Sequence, residues 1–229
     1  MGWLLALDGA TEQLALALVR EDGEGIARDL PGGAQASGRL IPAIKELLAE
    51  AGVQGRELDA LAFGQGPGAF TGLRAVCAVT QGLAMGWALP VLAIDSLLIP
   101  VEAVWARGKP RHWGCVMDAR MGEVYAARYE RRDDVWLCLE SPGLWQADAL
   151  MPHWASIGEP EALAGNGLGL VGHTVQEPGS RAAALGRLAA LAVSGRQEQL
   201  DASLALPRYV RDKVALTTAE RAALAARAS

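Results

Sequence analysis

The sequence predicts an α/β protein built from two related lobes, each with a mixed β-sheet flanked by helices. Apolar runs of strand length alternate with runs of helical periodicity through residues 3–105, as in three-layer α/β folds. The first runs are joined by short turns, which makes the sheet mixed rather than purely parallel. The stretch at residues 113–118 also resembles residues 3–8 at a constant offset of 110 positions, which indicates a duplication, although two similar hairpins can also arise by chance.

The first lobe opens with a strand, a turn and a second strand. Strands are predicted at residues 3–7, 14–19, 26–30, 58–63 and 90–94. Apolar residues on one helical face predict a helix from residue 40 that ends at Gly52 as a C-terminal cap. Two further helices are predicted at 73–87 and 97–105, and the glycine-rich segment 64–72 is the loop before the first of them.

The second lobe repeats the opening pattern, after which the signal weakens. Strands are predicted at 113–118, 124–129 and 135–139, a glycine-rich turn at 165–169 and a helix at 181–194. Thr217 and Glu220 form a capping box that opens a final helix rich in Ala and Arg. We place the lobes at 1–108 and 109–229 and expect the final helix to lie at the periphery or on the first lobe.

Composition excludes several classes of protein. The 229 residues include 21 Lys and Arg and 26 Asp and Glu, a net charge of −5 that gives no general affinity for nucleic acid. Apolar stretches are interrupted by Gly, Pro and charged residues, and Asp8 and Glu12 fall where a signal peptide has its apolar core, so we expect a cytoplasmic protein that is not in a membrane. Cys77, Cys115 and Cys138 lack a metal-type spacing and are expected to be buried, and no His pair has helical metal spacing.

An acidic residue closes the first strand of each lobe. Asp8 and Asp118 are expected to face each other across the cleft between the lobes, where, with Thr11, they can hold a hydrated Mg²⁺ ion and the phosphates of a nucleotide. The alternative is that both are turn residues that accept hydrogen bonds from nearby backbone. The bulky residues after Asp118 disfavour phosphate binding at that turn.

The glycine-rich loop allows two interpretations. Its candidate functional residues are Gly66, Pro67, Gly68, Thr71, Gly72 and Arg74. Free backbone N–H groups in such a loop can bind an anion, whereas the alternative is a tight turn in which Thr71 caps the following helix. The segment lacks the Lys and Ser/Thr of a P-loop, because Leu73 and Arg74 follow Gly72.

Small residues mark one face of the helix that follows the loop. Ala78, Gly82 and Gly86 are spaced four residues apart, and each helical glycine costs about 1 kcal/mol relative to alanine. A neighbouring helix is therefore expected to press on this face, either from the same chain or from another subunit. The sequence contains no G-x-S-x-G elbow and no local Ser–His or Cys–His motif, so it has the frame of an enzyme without visible catalytic groups.

Four stretches resemble the bacterial TsaB family of tRNA threonylcarbamoyladenosine biosynthesis proteins. The most specific stretch is 58–74, and 5–12, 117–125 and 207–211 agree with it. Three positions depart from the family pattern. Gln65 stands where Arg is frequent, Ala69 where Ser is frequent, and Ala36 and Ser37 where a His-Ser or His-Thr pair opens the first long helix.

The resemblance implies the two-lobed actin-like ATPase (ASKHA) fold and a role in adding a threonylcarbamoyl group to N6 of adenosine 37 in tRNAs that read ANN codons. It implies that the catalytic subunit is the paralogue TsaD, that an ATPase, TsaE, joins the pair, and that tRNA is met only indirectly. This chain is then a non-catalytic partner without a cofactor of its own, and ATP and Mg²⁺ bind weakly or at a composite site of the complex. The older family label is glycoprotease-like, peptidase M22. The alternative function is a stand-alone glycoprotease-like or nucleotide-dependent hydrolase that uses the cleft.

The resemblance also suggests how the partner is held. Two helices are expected to dock on the equivalent helices of TsaD, which gives a four-helix contact with an apolar core. Without TsaD, the same face is expected to join two copies as a homodimer. The predicted contact residues are Leu40, Ile44, Leu47, Leu48, Val76, Ala78, Val79, Gly82, Leu83 and Gly86.

Overall fold

The computed structural model describes residues 2–33, 36–105, 110–133, 135–175 and 179–211. Its strands are β1 (Trp3–Asp8), β2 (Gln13–Arg20), β3 (Gly25–Pro31), β4 (Leu58–Gly64), β5 (Val91–Ile94), β6 (His112–Arg120), β7 (Glu123–Arg132), β8 (Val135–Gln146) and β9 (Ala162–Ala164). Its helices are α1 (Ala36–Ala51), α2 (Phe70–Trp87), α3 (Leu98–Trp105), α4 (Ala147–Ile157) and α5 (Arg181–Ser194).

The strands form two sheets with the same internal order. The first sheet has the order β3-β2-β1-β4-β5 and the second β8-β7-β6-β9. In each sheet, the first strand pairs antiparallel with the strand after it and parallel with a later one, so that β1 contacts β2 and β4 while β6 contacts β7 and β9. The sequence repeat therefore relates equivalent strands, and the prediction of mixed sheets in two duplicated lobes is confirmed.

Helices cover both faces of the first sheet. On one face, α1 and α2 bury residues such as Leu40 and Leu47 against Phe63 of β4. On the other face, α3 and α5 pack on the sheet, and Leu185 and Ala189 of α5 belong to the same apolar cluster as β2. The chain thus returns from the second sheet to the first lobe at α5, and the lobe assigned to residues 109–229 is not a single spatial unit.

Local interactions set the helix ends. Gly52 follows α1 with a φ of 66°, and its N–H donates to the carbonyl of Ala49, as a C-terminal cap does. α2 begins at Phe70, three residues before the predicted start, because the N–H of Ala69 donates to the carbonyl of Ala10 at 2.7 Å and holds Ala69 extended just before the helix. α5 spans the predicted range. The sequence does not predict α4, since Pro152 interrupts its pattern.

An apolar core joins the two lobes. Leu73, Leu97 and Val101 of the first lobe are buried with Trp113 and Met117 of the second. Moving the lobes apart would expose this surface to water, which opposes such a motion.

Several predictions concern residues away from this core. Cys77 and Cys115 are buried, whereas Cys138 is exposed, because β8 is the edge strand of the second sheet. The boundary at residue 108 and the capping box of Thr217 and Glu220 fall outside the described residues and stay predictions. No helix in the described ranges is both long enough and apolar enough to cross a membrane.

Candidate functional site

Asp8 lies at the carboxyl end of β1 and has no solvent exposure (0%). One carboxylate oxygen accepts a hydrogen bond from Nη2 of Arg181 at 2.7 Å and the other from Oγ of Ser96 at 2.7 Å. The N–H of Ala10 donates to the first oxygen at 3.2 Å. A guanidinium therefore sits where a cation bound to this carboxylate would sit, and Asp8 anchors the start of α5.

Asp118 and Thr11 line a different space. A pocket of about 280 Å³ at the cleft is bounded by Thr11, Asp118 and Arg120, but Asp8 does not line it. Asp118 accepts hydrogen bonds from the backbone N–H of Arg120 at 2.7 Å and from its guanidinium at 3.3 Å. Arg120 also reaches across the cleft to Glu12, at 3.0 Å. Thr11 hydrogen-bonds within its own turn.

The expectation that Asp8 and Asp118 share one cavity is therefore wrong. Each carboxylate is paired with an arginine, which places positive charge where Mg²⁺ would bind. The residues present do not fit a Mg²⁺–nucleotide group held by these two carboxylates. They fit the alternative that both are turn residues.

Glycines in the signature loop (residues 64–72) let backbone pack on backbone. A Cβ at Gly72 would lie 2.0 Å from the carbonyl oxygen of Gly9, and one at Gly68 would lie 2.3 Å from that of Ala10. Gly66 has a φ of 102°, which favours glycine, and its peptide bond to Pro67 is cis. The loop is thereby pressed onto the turn that follows β1.

Some backbone N–H groups of the signature loop have partners within the chain. The N–H of Gly66 donates to Oγ of Ser96 at 3.0 Å, and that of Ala69 donates to Ala10. These two N–H groups serve the tight turn and are not available to an anion. The predicted capping role of Thr71 is wrong, because Ala69 occupies the cap position and Thr71 lies exposed in the first turn.

A C-terminal strap (residues 207–211) ties the signature loop to both lobes. The N–H of Arg208 donates to the loop at 2.6 Å. Tyr209 accepts a hydrogen bond from Nε of Arg74 on α2 at 2.8 Å. Arg211 pairs with Glu123 of the second lobe at 2.6 Å. Residues 207–211, which contributed to the family resemblance, thus connect the two lobes.

The face of α2 that carries Ala78, Gly82 and Gly86 is exposed. Apart from the adjacent residues and the backbone of α2 itself, no atom of the described chain lies within 4 Å of a Cβ placed at Gly82 or Gly86. Met85, next to them in sequence, is 73% exposed. The described residues therefore contain no helix that these small residues accommodate.

Half of the predicted partner contacts lie in the chain's own core. These buried residues are Leu40, Ile44, Leu47, Leu48 and Val76. They pack on the first sheet, so they cannot touch another subunit in this fold, and their assignment as contacts is wrong. Val79 and Leu83 are half-buried at the side of α2. Hydrophobic periodicity marks the inward side of each helix, so it missed the outward Met85. Ile41 belongs to the apolar pattern of the first helix but is exposed.

The three cysteine thiols are poor nucleophiles in this structure. Burial, helped by the charge of Asp8, raises the pKa of Cys77 to about 11. Burial and then the charge of Asp95 raise the pKa of Cys115 and of Cys138. The three thiols are therefore protonated at neutral pH. Within the described ranges, no group of three or more His, Cys, Asp and Glu is placed to hold a metal ion.

Known proteins are similar to this chain in sequence and in fold. A family profile described as "TsaD: tRNA N6-adenosine threonylcarbamoyltransferase" matches residues 33–145. The chain is 35% identical over 134 residues to the tRNA threonylcarbamoyladenosine biosynthesis protein TsaB of Escherichia coli (strain K12), which is 58% of each chain. The solved structure "YeaZ from Pseudomonas aeruginosa" superposes with a TM-score of 0.75 at 31% identity, over 91% of this chain and 100% of that one. The chain belongs to the TsaB family.

Further matches agree with the TsaB assignment. TsaB of Haemophilus influenzae is 38% identical over 128 residues, which is 56% of this chain and 54% of that one. The alignments thus span little more than half the length of these curated TsaB relatives. Together with the YeaZ superposition, the duplicated sheets confirm the two-lobed actin-like fold. The profile match includes α1, the signature loop and α2, whereas the strap lies beyond it.

Proposed function

We propose that this TsaB-family chain is a non-catalytic partner subunit in the formation of N6-threonylcarbamoyladenosine at position 37 of tRNAs that read ANN codons, and that it supports a catalytic TsaD subunit by docking on it. The pathway comes from the names of the relatives. The kind of role comes from one observation, the exposed row of Ala78, Gly82 and Gly86 on α2, which no described residue covers.

The proposed docking face is the outward side of α1 and α2. Small side chains on α2 allow a partner helix to approach its backbone closely. Two helices from each subunit then form a four-helix contact, while the core-facing leucines of α1 hold the pair of helices on the sheet. The exposed residues of this face are Ile41, Lys45, Ala49, Ala78, Gly82, Met85 and Gly86.

A fixed arrangement of the lobes suits a docking subunit. Glu102 of α3, 2% exposed, accepts a hydrogen bond from Nε1 of Trp136 on β8 at 2.8 Å. With the Arg211–Glu123 pair and the shared apolar core, this contact holds the lobes together on several sides. Separation of the lobes would have to break these contacts.

The cleft gives no support to the hydrolase alternative. Asp8 is neutralised by Arg181, Asp118 by Arg120, and the thiols are protonated at neutral pH. ATP and Mg²⁺ are then handled by another subunit of the complex, with TsaE as the proposed ATPase, or at an edge that this chain shares with it. Contact with tRNA is indirect, and we place the complex in the cytoplasm.

In the absence of TsaD, we propose that the docking face joins two copies of this chain. The exposed Met85 and the uncovered glycines present the same surface to either partner. The homodimer and the complex with TsaD are therefore mutually exclusive, and TsaD is expected to dissociate the homodimer.

Co-purification with TsaD from the same organism tests the docking face. The double variant Ala78→Leu, Gly82→Leu fills the space that a partner helix would enter, and both positions are exposed in the described chain. We expect it to fold and to lose TsaD. A matched control, Ala155→Leu with Ser156→Leu on the exposed side of α4, should retain TsaD. Wild-type recovery of TsaD by the Ala78 and Gly82 variant would overturn the docking face.

A further inference from the structure

A pocket of about 410 Å³ lies between α5, the edge strand β8 and the carboxyl ends of β4 and β5. Its volume falls within the range of about 300–1,000 Å³ that is typical of ligand sites. Gln65 and Asp95, the first residues after β4 and β5, line it, and α/β folds commonly bind ligands at this edge of the sheet. The residues of the docking face do not line this pocket, and neither does Asp8.

Opposite charges line this pocket. Asp95 is half-buried, and its two oxygens accept hydrogen bonds from the N–H of Leu97 at 2.9 Å and the hydroxyl of Tyr129 at 2.8 Å. Burial raises the pKa of Asp95, and the hydrogen bonds from Leu97 and Tyr129 and the charge of Arg208 only partly offset this. In the described ranges no cation forms a salt bridge with Asp95, and each of its oxygens keeps a further acceptor position.

Arg208 supplies the positive charge. Its N–H is fixed to the signature loop, which sets the position of its backbone. Its side chain is exposed, lines the pocket and forms no ion pair within the described ranges. The guanidinium also acts electrostatically on Cys138, where it lowers a pKa that burial raises overall. A guanidinium binds a carboxylate through two parallel hydrogen bonds, as it also binds a phosphate.

The remaining wall is largely apolar. Leu98 of α3, Leu188 and Leu191 of α5 and Trp136 of β8 contribute to it. A ligand that combines two opposite charges with an aliphatic part would match Asp95, Arg208 and the apolar wall together.

We propose that this pocket binds a free α-amino acid with an aliphatic side chain of about the size of leucine. The ammonium group pairs with Asp95 and gives it the cation that it lacks. The carboxylate pairs with Arg208, and the side chain packs on Leu188 and Leu191. This site goes beyond the docking function and uses none of the docking residues.

Cys138 provides a readout in the native full chain. It lines the pocket and is exposed, whereas Cys77 and Cys115 are buried. The rate of its alkylation is measured with L-leucine, with N-acetyl-L-leucine, which has no ammonium, and with L-leucinamide, which has no carboxylate. Cys138→Ser reports the background, and calorimetry with L-leucine measures binding directly.

L-Leucine is expected to slow the alkylation of Cys138 at millimolar concentration. Each analogue should need a concentration about tenfold higher or more, because a hydrogen bond to a charged group changes affinity by at least that factor. The proposal is overturned if leucine gives neither protection nor heat, or if all three compounds protect equally. This comparison uses the wild type alone and does not depend on the folding of any variant.

Two variants assign the ends of the ligand. Asp95→Asn should abolish the preference for leucine over N-acetyl-leucine but keep the preference for leucine over leucinamide. Arg208→Gln should abolish the preference over leucinamide and keep the preference over N-acetyl-leucine. Asp148→Asn and Arg56→Gln, exposed changes outside the pocket, should keep both preferences. Unchanged preferences in Asp95→Asn and Arg208→Gln would also overturn the assignment. Both variants should still co-purify with TsaD, so a failure here is distinct from a failure of the docking proposal.

Discussion

Gly82→Ala is expected to stabilise this chain while weakening its association with TsaD. Gly82 lies in the interior of the 18-residue helix α2, and a Cβ there meets no described atom within 4 Å. The substitution therefore adds no clash in the described chain, and it improves helix propensity by about 1 kcal/mol. For a chain of this size, that gain raises Tm by roughly 2–4 °C. At a close helix–helix contact, the same methyl group has no room, and overpacking costs about 1–3 kcal/mol.

Two measurements separate these effects. Thermal unfolding is followed at several protein concentrations, because a homodimer formed through this face would make Tm depend on concentration. Calorimetric titration of TsaD gives the Kd, which we expect to rise about tenfold or more. Ala155→Gly on α4 is the matched control, and it should lower stability by about 1 kcal/mol and leave the Kd unchanged.

Either of two results would refute this reasoning. An unchanged Kd for Gly82→Ala would show that no partner helix approaches the α2 face. A lower Tm at the lowest concentration would show that the chain itself already covers Gly82.

Buried charges and the strap give three more expected outcomes. Arg181→Met leaves Asp8 buried without its cation and should lower the free energy of unfolding, measured in urea, by about 3–5 kcal/mol. Adding Asp8→Asn to the same chain should partly restore this stability. Full stability of the single variant would contradict the ion pair. Because burial raises the pKa of Asp95 above 3.8, the folded state favours its protonated form, so wild-type stability relative to Asp95→Asn should be greatest below about pH 4 and fall towards neutral pH in thermal melts. A constant difference would contradict this. Tyr209→Phe removes the hydrogen bond from Arg74 and should cost about 1 kcal/mol in urea unfolding, and an unchanged midpoint would show that the strap is not held there.

The sequence predicts an element correctly where its local apolar pattern matches the surface that the element packs against. The apolar runs that became β1 and β6 are continuous, as in strands buried on both faces, and the inward face of α1 carries a helical period. α4 lacks such a signal, since Pro152 interrupts it and Leu150 and Trp154 are its buried residues. The range of α5 was predictable, but its return to the first sheet depends on contacts distant in sequence, which a local pattern does not encode.

The candidate site was less predictable for the same reason. Periodicity located the buried side of α1 and α2, and only the exposed glycines at 82 and 86 pointed to the outward side. The partner of Asp8 lies 173 residues away in sequence. One local feature pointed to this ion pair. Arg181 is the first residue of α5, where the helix dipole disfavours a cation unless the cation pairs with an acidic group.

Reconstituted tRNA modification tests the central claim most directly. TsaD, TsaE, unmodified tRNA, ATP and the other substrates are combined with or without the purified chain, and threonylcarbamoyladenosine in the tRNA is quantified. We predict product with the wild type, and a near-complete loss when the chain is omitted or carries Ala78→Leu with Gly82→Leu. Full modification without the chain, or hydrolysis of nucleotide or peptide by the chain alone, would contradict its role as a non-catalytic docking subunit.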